Sequence, residues 1–197
     1  MENVWPPRPL RWPERPLRHG PAVLDRMTYA DVPALLTAID DEVLRWIPLP
    51  SPYTEADAVA YLTSQAAMST RGAGLTFAVR RRTGGRMVGS AGLHFRGGAG
   101  VAEIGYWIGP LDRGAGLAAA STRALASWAF TTLGPRRVEL LIEPDNRPSM
   151  AVAQSVGAVY EGVRRAGIVH RGEPRDAAVW SLLPADVGHR PPARYGW

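Results

Sequence analysis

The 197-residue chain contains no cysteine, so disulfides, thiolate nucleophiles and cysteine-ligated metals are excluded. It also contains no lysine: all 23 basic residues are arginine. Without lysine there is no Walker-type phosphate loop and no Schiff-base chemistry of the pyridoxal-phosphate kind. Histidine is scarce. His19, His94, His170 and His189 are the only four, and no two have the spacing of helical metal ligands, so no metal site is expected. No apolar run approaches the roughly 20 residues that span a bilayer, and the first residues, Met-Glu-Asn-Val-Trp-Pro-Pro-Arg, lack an apolar signal core. The expected setting is cytoplasmic and the expected partners exclude a membrane.

What is present suits one globular domain, with 46% hydrophobic residues and enough length for a substantial core. The formal charge of +5 favours anionic partners without requiring nucleic acid. The arginine and alanine bias fits a GC-rich bacterial genome. Residues 1–21 are rich in Pro, Arg and Trp and read as an extended arm, residues 22–183 as the folded domain, and residues 184–197 as a second tail of the same character. Trp5 and Trp12 would be odd in solvent, which raises a partner subunit as a surface for the arm.

Between the tails strands and helices alternate. Ala22–Met27 reads as a strand. Thr28-x-x-Asp31 opens a helix to about Ile39, and Thr54-x-x-Asp57 opens another to about Gln65. Leu75–Arg81 and Met87–Phe95 form a hairpin around Thr83-Gly84-Gly85, and Val101–Ile108 is the next strand. An Ala-rich helix follows from Ala118 to Leu133. Then come a β-rich run at Val138–Ile142, a helix at Asn146–Val156, and strands near Val159–Arg165 and Ala177–Leu183. Three consecutive strands form an antiparallel meander, and the strand–helix–strand unit adds one parallel connection. The fold class is α/β, a mixed sheet with helices on both faces.

The sharpest feature is Asp112-Arg113-Gly114-Ala115-Gly116-Leu117-Ala118, placed where a strand gives way to the Ala-rich helix. Small residues at a helix start leave orphan N–H donors bare at the positive end of the dipole, a ready site for phosphate. Gly114-x-Gly116-x-x-Ala119 also matches a dinucleotide fingerprint. That reading calls for an acidic residue about 20 positions on, after the next strand. The chain has Leu133-Gly134-Pro135 there, and Glu139 lies inside the strand.

The spacing Arg113-x-x-Gly116-x-Ala118 resembles the pyrophosphate signature of the GNAT superfamily of N-acyltransferases. From about Ala22 to Leu183 the chain is similar to the RimJ/RimL branch of that superfamily, which includes N-terminal acetyltransferases of ribosomal proteins. The matching segments are Leu24–Leu36, Arg45-Trp46-Ile47-Pro48, Glu103–Ile108, Asn146-x-x-Ser149 with Gly157-Ala158, Glu161-Gly162 and Asp176–Leu183.

The resemblance implies a six- to seven-stranded, mostly antiparallel sheet whose central parallel pair splays at the acyl-CoA site. It implies acetyl-CoA as co-substrate and an amine acceptor: a protein N-terminus or a small molecule. Main-chain groups at Trp107 and Ile108 would hold the pantetheine arm. The turn from Arg113 through Gly114, Ala115, Gly116 and Leu117 to Ala118 would hold the pyrophosphate, and Asn146 and Ser149 would contact the cofactor. Ser149 is also a candidate acid for the leaving thiolate.

Trp46, Tyr106 and Arg165 are candidate acceptor contacts. Arg164, Arg165, Arg171 and Arg175 form a basic rim that would favour an acidic or phosphate-bearing acceptor. The carboxylate often found in that branch seven residues after the Glu-Gly pair falls on Ile168, which cannot take a proton. Glu103 and His170 are the leading bases, with Glu161 and Tyr106 behind them. Other readings of the same fold are a longer acyl donor, an acyl group delivered on tRNA, and a non-catalytic acyl-CoA-binding module. A homodimer is a further expectation.

Overall fold

The computed structural model describes residues 5–6, 9–95 and 100–189. Eight strands form one sheet in the order β1-β2-β3-β4-β5-β6-β8-β7. They are β1 (Leu17–His19), β2 (Ala22–Arg26), β3 (Gly74–Arg81), β4 (Met87–His94), β5 (Val101–Ile108), β6 (Arg137–Ile142), β7 (Val159–His170) and β8 (Glu173–Leu182). Every neighbouring pair is antiparallel except β5 and β6. The helices are α1 (Val32–Ala38), α2 (Asp41–Trp46), α3 (Glu55–Thr70), α4 (Leu117–Trp128) and α5 (Arg147–Ser155). The mixed class, the helices on both faces and the single parallel pair match expectation. The strand beyond the expected six or seven is β1, three residues within the Pro- and Arg-rich arm, paired to β2 through a tight Gly20 turn.

Local chemistry sets the helix boundaries. Asp31 accepts from the Thr28 N–H (2.9 Å) in the expected cap, but only a 3₁₀ turn (Tyr29–Asp31) forms before Pro33 starts α1 afresh. Asp40 caps α2 by accepting from the Val43 N–H at 3.0 Å. The Thr54/Asp57 box opens α3, which continues past Gln65 to Thr70 because Ala66, Ala67 and Met68 sustain it. α4 ends in a π-helical turn, Ala129–Leu133, closed by Gly134 at φ +67°.

Alternation along the strands divides the core into two layers. Leu75, Phe77, Leu93, Ile104, Val138 and Leu140 face α4 and α5. On the opposite face Ala78 and Met87 pack with Leu35 and Ala58 of α1 and α3. Trp12 stacks edge-on against Phe77 (4.9 Å), and Trp5 against Phe95 (5.1 Å) while donating to the Leu133 carbonyl (2.8 Å). The arm's tryptophans thus find apolar cover within their own chain. Residues 1–4 and 7–8, and the tail beyond His189, lie outside the described residues.

Candidate active site

β5 and β6 pair only at Val101–Arg137, Ala102–Val138 and Glu103–Glu139, although β5 continues to Ile108 and β6 to Ile142. Beyond that point the strands part. A cavity of about 890 Å³ passes through the opening and is lined from both faces of the sheet.

One half lies on the α4/α5 side. Gly114 and Gly116 have φ of +74° and +72°, and a Cβ at either would meet nothing within 4 Å. Glycine is required there for the left-handed backbone and not for space. The first helical bond is Ala120 N–H to Gly116 O (3.0 Å), and no side chain among the described residues caps α4. The N–H groups of Leu117, Ala118 and Ala119 therefore lack intrahelical acceptors, and all three residues line the cavity.

Arg113 also lines it, but its guanidinium is already held. It donates to both Asp40 oxygens (2.9 and 2.7 Å) and to the Ile108 carbonyl (3.0 Å). That pairing, countered by partial burial, lowers the Asp40 pKa. Arg113 thus ties α2 to the turn, and its main chain is what it presents to an anion. Ala115 packs against the core and does not line the cavity.

Asn146 Oδ1 accepts from the Ser149 N–H (3.1 Å), so Asn146 caps α5 and directs its start into the cavity. The Tyr106 hydroxyl donates to the Ser149 carbonyl (3.3 Å). Burial, only partly offset by that bond, pushes the phenol up to about 12. Tyr106 is therefore a protonated donor at neutral pH and unsuited to act as a base.

The other half lies on the α1–α3 side, where Trp107 packs with Leu35, Tyr53 and Tyr61. Glu103, Gly105 and Trp107 share this face of β5 by alternation, and Glu103 lies opposite His94 on β4 and Glu139 on β6. Trp46 donates to Glu42 (2.7 Å) beneath the Arg45 guanidinium, 4.7 Å from its ring centre. Burial pushes the Tyr53 phenol up to about 12, with Tyr61 and Asp57 adding to the shift, and its hydroxyl has no hydrogen-bond partner among the described residues.

The end of β7 completes the wall with Ile168, Val169 and His170, and Glu143 faces His170 at 3.6 Å. Arg164, Arg165, Arg171 and Arg175 do not line the cavity. Arg164 approaches Glu139 (3.7 Å), Arg171 donates to the Leu44 carbonyl (2.9 Å), and Arg165 is exposed. The expected basic rim therefore stands outside the pocket, whose lining carries Glu42, Glu103 and Glu143. Glu161 points away too, bound to Arg137 (2.7 Å) and Ser181 (2.6 Å), which hold its carboxyl below the usual range.

Sequence reasoning passed over Glu143, Asp40, His94 and the Tyr53–Tyr61 pair. Of these, only His94 left a sequence signal. Gly74, Gly92 and Gly105 lie beneath its ring, where a Cβ would come within 3.3, 3.2 and 3.9 Å of the imidazole nitrogens.

The model of the acetyltransferase (GNAT) domain matches residues 22–159. The chain belongs to that family. The GNAT domain here is 28% identical over 163 residues to the uncharacterised N-acetyltransferase YoaA of Bacillus subtilis (strain 168), spanning 82% of this chain and 92% of that one. A GCN5-related N-acetyltransferase from Brucella melitensis superimposes with a TM-score of 0.73 at 28% identity, covering 94% of this chain and 85% of that one. Mycobacterium smegmatis RimJ in complex with CoA-disulfide shares the fold, with a TM-score of 0.75, 24% identity and 88% coverage of each chain. The chain is an N-acetyltransferase of the GNAT family, whose members use acetyl-CoA as co-substrate. The bare helix start and the unpaired edge of β5 suit a pyrophosphate and an amide-bearing arm. No helix among the described residues is long and apolar enough to cross a membrane.

Proposed function

We propose that this acetyltransferase acts on a primary amine, at a peptide N-terminus or on a small molecule, in the cytoplasm. The acetyl donor lies on the α4/α5 side and the acceptor on the α1–α3 side. The observation that carries this reading is the cavity itself. It crosses the sheet where β5 and β6 part, with bare backbone donors at one end and carboxylates and imidazoles at the other.

Within it the N–H groups of Leu117, Ala118 and Ala119 bind pyrophosphate. The β5 edge from Ile104 to Ile108 orients the pantetheine arm, and Asn146 and Ser149 border it. Acetyl-CoA supplies the activated thioester. Tyr106, held protonated, is the donor for the departing sulfur, ahead of the Ser149 hydroxyl. Glu42, Glu103 and Glu143 attract an ammonium group, and the apolar wall at Trp46, Leu35 and Trp107 receives what the amine carries. The arginines that would have suited an acidic acceptor or tRNA lie outside the cavity, so an amine-bearing, cationic acceptor is the better match.

The test is mass spectrometry of the purified protein with acetyl-CoA and a panel of 2-phenylethylamine, spermidine, and tetrapeptides beginning with Ser or Ala. A mass gain of one acetyl group on at least one amine, with stoichiometric thiol release, is expected. Tight CoA binding with no acetylated product across the panel would reject the reading in favour of a binding module.

A further inference from the structure

We propose that Glu143 and His170 act as one unit on the acceptor side: the carboxylate orients the imidazole, and the imidazole takes the proton from the incoming ammonium group. This rests on the acyl-transfer reading above and fills the role left vacant by Ile168.

Both side chains reach the cavity from anchored backbone. β7 loses register with β8 between Arg164 and Ile168, where Ala166 has φ +50° and its N–H donates to Asp176 (2.9 Å). After this bulge the ladder resumes at Ile168–Arg175, Val169–Pro174 and His170–Glu173. His170 is thus the last strand residue before a two-residue turn of Arg171 (φ +50°) and Gly172 (φ +85°), both in the left-handed region that such hairpins demand. Arg171 donates to the Leu44 carbonyl of α2 (2.9 Å), pinning the hairpin tip against the wall of the cavity. Glu143 follows directly on β6, and its carbonyl accepts from the Asn146 N–H (2.9 Å), fixing the turn into α5.

His170 Nδ1 lies 3.6 Å from Glu143 Oε1, with the side chains only 12% and 21% exposed. That distance exceeds a hydrogen bond but is within ion-pair reach, and such contacts tighten when substrate closes the site. Glu143 from the end of β6 is the carboxylate facing the ring; Glu173 is its register partner across the ladder, and Arg171, next along β7, is engaged by Leu44. A carboxylate at Nδ1 keeps the proton there and leaves the lone pair on Nε2.

The step balances as follows. The ammonium group gives one proton to Nε2. The neutral nitrogen forms a bond to the acetyl carbonyl carbon. The carbon–sulfur bond breaks, the thiolate leaves, and the second amine proton ends on sulfur. His170 then releases its proton to solvent.

Two measurements decide it. In ¹⁵N-histidine spectra of the full chain, with His170 assigned by loss of its signal in His170→Ala, the neutral ring should carry its proton on Nδ1. In Glu143→Ala that preference should weaken, with a larger share of the neutral ring protonated on Nε2, because the acceptor facing Nδ1 is gone. This readout needs no acceptor, so it stands or falls apart from the proposed function. A wild-type ring protonated on Nε2, or a tautomer balance unmoved in Glu143→Ala, overturns the pairing.

The second is kinetic, on whichever panel amine is acetylated. His170→Ala should lower kcat/KM about 100-fold and Glu143→Gln about tenfold, with KM for acetyl-CoA unchanged and partial recovery in Glu143→Asp. The acidic limb of the pH profile should move in Glu143→Gln and not in Glu103→Gln. His170→Ala retaining activity within about twofold, or a limb that follows Glu103→Gln, rejects the assignment.

Discussion

The two halves of the cavity are built from different materials. The half proposed for the donor is made of main chain: an uncapped helix start, two left-handed glycines and an unpaired strand edge, all within residues 104–120. The half proposed for the acceptor is made of side chains gathered from α1, α2, β4, β5, β7 and the turn after β6. A backbone site binds what every family member shares, because amides offer the same donors whatever the local side chains are. A side-chain site varies freely without disturbing the sheet. The contrast explains why the donor is readily identified while the acceptor is recognised by its chemistry alone.

The most severe way to break the comparison is to dislodge the frame of the acceptor half. Arg80 bridges Asp25 (3.0 Å) and Asp31 (2.7 Å), tying the start of α1 to the sheet. Arg80→Ala leaves the buried Asp31 carboxylate without its cation and should cost about 3–5 kcal/mol of folding stability in chemical denaturation. Burial opposes ionisation of Asp31, but the bonds from Arg80 and Thr28 outweigh it and lower its pKa. The stability it contributes is thus present above the ordinary carboxylate value of 3.8 and lost as pH falls through the depressed one. The stability gap between wild type and Asp31→Asn should accordingly narrow in that acid range.

Next comes the donor turn. Gly116→Val forces a β-branched residue to φ +72° and should weaken CoA binding about 100-fold by calorimetry, with acceptor KM little changed. An unaltered CoA affinity would show that the turn is not where the pyrophosphate sits.

Tyr106→Phe removes a protonated donor from the donor side and should lower kcat about tenfold without changing either KM. A selective rise in acceptor KM would instead move Tyr106 to the other half.

The smallest effects sharpen the boundary. Trp46→Ala should raise acceptor KM several-fold, about 1 kcal/mol, through lost apolar contact, while acetyl-CoA KM holds. Arg165→Ala, outside the cavity, should change neither KM by more than about twofold.

The same contrast governs what could be read from the chain. The mixed sheet, its parallel pair and the glycine turn were legible because each has a local signature: alternation, an apolar run of strand length, and small residues before a helix. β1 escaped because three residues among prolines and arginines have no period to detect; pairing with β2 makes them a strand. The extension of β7 to His170 was hidden by the bulge at Ala166, which disrupts the two-residue alternation. His170 was visible as a candidate, but its partner Glu143 was not, since nothing in the spacing of the two shows that a hairpin folds back onto the end of β6. Arg113 shows the reverse case. Its place in the motif suggested a phosphate contact, and only the fold reveals that Asp40 occupies its guanidinium.

The amino-acid sequence by itself determined the class of fold, the absence of lysine and cysteine chemistry, and the glycine turn at a helix start on which the proposed donor site rests. These depend on residue type and on neighbours a few positions away. The tertiary structure alone decided which carboxylates line the cavity, which arginines stay outside, and that His170 meets Glu143. Those are contacts between segments distant in the chain, and they arise from strand register and hairpin docking, for which no local pattern encodes the distance.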